Sequence, residues 1–128
     1  MRIALILFKL MPRELAPVVD FQSRDAGAAE LAAGSGAAHI HIVHIAAGGE
    51  IGPHVAGFGQ LFLCLEGSGW VAAADDERIS ISRGQVAYVA RGERHSKGST
   101  DGLHALIIQV HDLDLCAPPP NETLKLTR

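Results

Sequence analysis

The chain has 128 residues, 48% of them hydrophobic and 20% charged, with a formal net charge of −3. That length suits one domain around one core and is too short for two ordinary domains, and the composition excludes a disordered or strongly polyionic chain. The 11 Lys and Arg are scattered, and four Phe, one Trp and one Tyr are the whole aromatic complement, so the basic and stacking surfaces that recognise nucleic acid are missing.

The first apolar run, Ile3–Phe8, follows a positive residue as in a signal peptide. It lacks a small-residue cleavage site, and six residues cannot span a bilayer, which takes about 20. No membrane partner is expected. The run reads as a strand paired with a neighbouring subunit, unless translation begins at Met11. Pro12, Pro17 and the Gly/Ala-rich stretch Asp25–Ala38 set residues 1–36 apart as an N-terminal segment of peripheral strands and loop. Within it Asp25 could cap a brief helix over Ala26–Ala33, against which Gly27 and Gly34 argue.

Residues 37–116 read as strands. His39–Ile45 alternates polar and apolar, which puts His39 and His41 on one face and His44 on the other, toward the cavity. Further runs of strand length are Gln60–Leu65, Trp70–Ala73, Arg78–Ser82, Val86–Val89 and Leu103–Val110. Turn signals fall between them at Ala47–Gly49, Glu66–Gly69, Asp75–Asp76, Arg83–Gly84, Arg91–Gly92 and Thr100–Gly102. Short strands at this spacing predict an all-β sandwich or closed barrel. Residues 117–128 begin with three consecutive Pro and are expected to leave the barrel as an extended tail. Cys64 and Cys116 are too few and too far apart for a disulfide framework or a thiolate metal site, which suits a reducing cytoplasm.

Two motifs occupy Gly48 to Ser99. In the first, Gly48 is followed after five residues by His54, then Ala56, then after three residues Gln60, then after six Gly67. In the second, Gly84 precedes Ala90, Gly92, His95 and Ser99. With these spacings the chain resembles the cupin superfamily in its small, single-domain, conserved-barrel form. Four positions depart from the family pattern: Ala56 replaces a ligand His, Gln60 a ligand Glu, Ala90 a Pro and Ser99 an Asn. The resemblance implies a single jelly-roll β-barrel, a homodimer, and a divalent metal in the barrel wherever the ligand set is complete.

The surviving candidate ligands are His54, Gln60 and His95. Zinc, ferrous iron, nickel and manganese all accept such donors, but the neutral amide of Gln60 offsets none of the metal's charge. By strand parity Gln60, Phe62 and Cys64 share a face, so Phe62, Cys64, Ala56 and His44 are expected to line the pocket. Glu93 shares parity with His95 and is the candidate acid/base group. Two functions stay open at this point. One is a metal-dependent dioxygenase, lyase or isomerase acting on a small organic molecule. The other is a metal-free, non-catalytic barrel in which the same residues orient a small ligand by hydrogen bonds. No DNA-binding segment accompanies the barrel, so a transcription-factor role is not expected.

Overall fold

The computed structural model describes residues 5–11 and 14–116; the expected Pro-rich tail lies outside the described residues. Ten strands follow in chain order: β1 Ile6–Lys9, β2 Ala16–Pro17, β3 Gly27–Ala28, β4 Ala32–Ile45, β5 Glu50–Val55, β6 Gly59–Ala72, β7 Arg78–Ser82, β8 Gln85–Val89, β9 Arg94–Gly98 and β10 Leu103–Leu115. One layer runs β1-β8-β6-β10-β4, and β5, β9, the second half of β6 and β7 form the other. β2 and β3 make a separate two-stranded ribbon. All pairings are antiparallel, and the expected all-β jelly roll is what the chain adopts. Among the described residues no helix is long and apolar enough to cross a membrane.

Three local expectations are corrected. The brief helix at Ala26–Ala33 is absent: β3 and the start of β4 occupy it. Gly34 belongs there for close strand approach, since a Cβ would collide with the Asp112 carbonyl oxygen on β10. The Glu66–Gly69 turn is no reversal either, because β6 runs straight through it. Gly67, at φ +79°, and Gly69 let the strand pass against the carbonyls of Gly102 and Gly98, where a side chain would clash. Finally, β1 is a strand as expected, but its partner is β8 of the same chain, with Ile6 opposite Tyr88 and Phe8 opposite Val86. Leu5 and Leu7 thereby join the barrel's own core.

That core lies between the layers and centres on Phe62, Cys64, Val71, Ile81, Ala87, Ala105 and Ile107. Phe62 stands opposite Ala87 on one side and Ile107 on the other, so the inward row of β6 is fixed by its neighbours. Gln60 is one step further along the same row, opposite Val89 and Gln109. A one-residue slip would turn all of these outward.

Gly67→Ala adds both a forbidden φ and a collision, and it should cost about 2 kcal/mol or more. Gly52→Ala, where a Cβ meets nothing within 4 Å, should be near neutral. Urea midpoints for the two variants check this; equal midpoints would contradict the account of β6.

Candidate functional site

The register of β5 against β9 places His54 directly opposite His95, with ring centroids 4.4 Å apart. Motif positions that carry no ligand hold that register. The Ala56 N–H donates to the Glu93 carbonyl and the Gly92 N–H to the Ala56 carbonyl, both at 2.8 Å. At the opposite end of the barrel the Gly48 N–H donates to the Ser99 carbonyl at 2.9 Å. The Ser99 hydroxyl donates to the Ser68 carbonyl at 2.6 Å and accepts the Gly102 N–H at 2.7 Å. Ala56 and Ser99 therefore tie the two motifs together at either end.

Gln60 reaches the His pair from β6, and its Nε2 lies 3.0 Å from Nε2 of His95. Its Oε1 accepts a hydrogen bond from Nζ of Lys97 at 3.4 Å. An ammonium only donates, so Gln60 turns its oxygen to Lys97 and its NH2 to His95. The Nε2 of His95 is then an acceptor, and the ring proton sits on Nδ1. That Nδ1 is the one buried side-chain nitrogen or oxygen among the described residues without a hydrogen-bond partner. His54 is oriented in a complementary way: its Nδ1 lies 2.8 Å from the Gly52 carbonyl and donates to it, leaving Nε2 as an acceptor.

Lys97 is the residue that sequence reasoning missed. It is 2% exposed, and its ammonium lies 4.9 Å from the centroid of the Phe62 ring. Burial lowers its pKa to about 8. Burial first, then the charges of Lys97 and His54, bring His95 down to about 3, so that imidazole is neutral. The signal was available, since Lys97 shares strand parity with His95. Applied in the other direction, that same parity had singled out Glu93.

These donors do not fit a divalent metal. The lone pair on His95 Nε2 receives the Gln60 amide, and Gln60 Oε1 receives Lys97. An ammonium at that distance repels a second cation, the more so in a buried, low-dielectric setting. Among the described residues no group of three or more His, Cys, Asp or Glu side chains is placed to hold a metal ion.

Residues 39–112, more than half of the chain, match the AraC-like ligand binding domain family. The chain belongs to that family, and its barrel is a cupin. Among solved structures it is similar to a cupin superfamily protein from Desulfitobacterium hafniense, at 21% identity and a TM-score of 0.56, covering 64% of this chain and 77% of that one. It is also similar to an uncharacterized conserved protein with a double-stranded β-helix domain from Klebsiella pneumoniae, at 15% identity and a TM-score of 0.55, covering 66% and 79%. A conserved protein of unknown function from Streptococcus pyogenes matches at 22% identity and a TM-score of 0.54, over 57% of this chain and 63% of that one, so this cupin spans less than two-thirds of its length. At these identities the likeness concerns the fold. No curated protein matches the chain.

The cupin brings some expected pocket residues together and separates others. Ala56 is buried beside the His pair through its backbone bonds, and Phe62 underlies Lys97. Cys64 lies deeper in the core, its Sγ 3.5 Å from the Gly67 carbonyl, and burial raises its pKa, which makes the thiol inert. His44 does not approach the cavity. It is exposed on the outer face at the far end, its ring 4.6 Å from that of His104, which sits 3.3 Å from Glu66. The strand faces are the reverse of those expected: His39 and His41 stand opposite Gln109 and Ile107, on the inward side. Glu93 is half-buried in the turn before β9, where its N–H donates to the Ala90 carbonyl at 3.2 Å. The chain is not extended there, so parity with His95 does not carry over, and no hydrogen bond joins Glu93 to His54, Gln60 or His95.

The two depressed pKa values make stability depend on pH. From about pH 3 to its ordinary value of 6.5, His95 binds a proton in the unfolded chain but not in the folded one, so stability rises with pH over that window. Lys97 does the same from about pH 8 to 10.5. Urea unfolding across pH should show the acid slope shallower in His95→Gln and the alkaline slope shallower in Lys97→Met; unchanged slopes would contradict these environments.

Proposed function

We propose that the barrel binds a small organic anion directly, with Lys97 and His95 as donors and no metal between protein and ligand. The carrying observation is the pairing of a buried ammonium with a buried, unpartnered N–H on His95. A buried charge is costly unless paired. Gln60 supplies only a dipole and Phe62 only a ring face, so a carboxylate is the group that completes the set. His54, with its acceptor nitrogen at the exposed side of the pair, suits a hydroxyl or other donor on the same ligand. The family match to a ligand binding domain supports this reading at the coarser level. Its reaction, if it has one, is unassigned, and Glu93 has no role in the proposed binding.

A second reading keeps the metal on His54, Gln60 and His95, and the cross-strand His pair at 4.4 Å favours it. It requires Gln60 to turn over and Lys97 to withdraw or lose its proton. Calorimetry with simple carboxylates should show binding that weakens about tenfold or more, about 1.4 kcal/mol, in Lys97→Met. Titration with Co2+ should show no stoichiometric uptake. One Co2+ per chain, lost in both His54→Ala and His95→Ala, would establish the metal reading instead.

We also propose a homodimer, through a surface other than the N-terminal strand. Ile40 and Ile42 are 68% and 84% exposed on the outer face of β4, beside their cross-strand neighbours Ile108 and Leu106. β4 is an edge strand, and an apolar row along an edge is self-complementary about a twofold axis. Ile42→Lys should turn a dimer into a monomer in light scattering at micromolar concentration; a wild-type monomer there would overturn the proposal. Cys64 and Cys116 are not joined in a disulfide, which suits the cytoplasm proposed as its compartment.

A further inference from the structure

The anion site lies toward the same end of the barrel as a cluster of aromatic rings. Lys97 and His95 are buried, Phe58 is half-buried and His39 is exposed, all toward the end of the barrel closed by the turns at 56–58 and 90–93. Register places His39 opposite Gln109 and Gln109 opposite Gln60, so His39 stands on the same inward row as the anion site. Phe58, two residues before Gln60, sets its ring 5.6 Å from that of His39 and 5.4 Å from that of His111. His111 occupies the bulge between Val110 and Asp112. It is pinned there by Arg91, whose Nη1 is 2.7 Å from its Nε2, and by Asp112, whose Oδ2 is 2.9 Å from its Nδ1. A run of rings thus lies at this end of the barrel, with Phe58 in the middle and the His111 flank held by the Arg91–Asp112 ion pair.

From this juxtaposition we infer that the ligand is a planar aromatic carboxylic acid, its carboxylate on Lys97 and His95 and its ring against Phe58 and His39. The inference rests on the anion-binding reading of the same site and adds the chemistry of the ligand's other end. An aliphatic acid would make the same charge contact without the ring-to-ring attraction. A saturated ring presents no π face and no polarised edge to Phe58 or to the two imidazoles.

The test compares benzoate, cyclohexanecarboxylate and acetate by calorimetry on the full chain. Benzoate should bind about fivefold tighter than cyclohexanecarboxylate, the ratio that roughly 1 kcal/mol of aromatic pairing gives. Phe58→Leu should bring that ratio close to one by weakening benzoate more than cyclohexanecarboxylate. His39→Ala, at an exposed position, should reduce the ratio as well. Lys97→Met should weaken both acids by a common factor. Equal affinities for the two ring acids, or a preference that survives both the Phe58 and the His39 variants, overturn the aromatic assignment while leaving the anion site standing. Failure of all three carboxylates to bind overturns the anion reading, and this inference with it.

Discussion

One strand holds this barrel together. β6 pairs with β8 and β10 through its first half and with β7 and β9 through its second, so it belongs to both layers. It can do so only because Gly67 and Gly69 allow carbonyl oxygens of crossing strands to come where a side chain would stand. That passage fixes which residues of β6 face inward. Phe62 then fills the centre and Gln60 projects among the side chains of β9. Were β6 to break into two strands at the glycines, the two halves could adopt independent registers, and Gln60 would no longer be bound to face His95.

The site built on this frame has a directional logic. Lys97 donates to Gln60, Gln60 donates to His95, and His95 is left with a buried N–H and no acceptor. Each orientation follows from the one before, because an ammonium cannot accept and an amide has one oxygen and one nitrogen to distribute. Bonds in a buried chain of this kind polarise one another. The chain begins at a Lys97 ammonium that no carboxylate offsets among the described residues and ends at a His95 N–H with no acceptor, which is the arrangement expected of a place where something else is to be bound.

Much of this was legible in the sequence, and the part that was not has physical causes. Intact motif spacing gave the barrel and brought His54, Gln60 and His95 into one place, because spacing between glycine turns dictates strand register. Strand parity failed where the chain is not extended: Glu93 sits in a turn at a position that alternation had treated as strand. It failed also for β4, where the alternating His and Ile say that two faces differ but not which one is inside. On that strand Ile40 and Ile42 lie on the outer face and are exposed while Ile45 is buried, a departure from the usual hydrophobic rule that the sequence of one chain cannot disclose. Lys97 escaped notice for a related reason, since a lysine in a polar run is ordinarily a solvated one.

The departures from the cupin ligand pattern become coherent when charge is followed through them. A complete set of three neutral His and one Glu around a divalent ion leaves a net charge of +1 at the centre. Replacing Glu by Gln60 alone would leave the ion's full +2 and weaken its hold, while removing the metal alone would leave a carboxylate at −1. Here Gln60 is neutral, His95 is neutral, and Lys97 brings +1 into the same volume. Lys97 brings to the centre the charge that the metal-loaded set would carry, and Ala56 offers no further imidazole. A site that retains its charge and loses its open coordination positions keeps the capacity to attract an anion. Such a site gives up the capacity to activate an anion by direct metal contact, and in this the substitutions agree with the proposed binding.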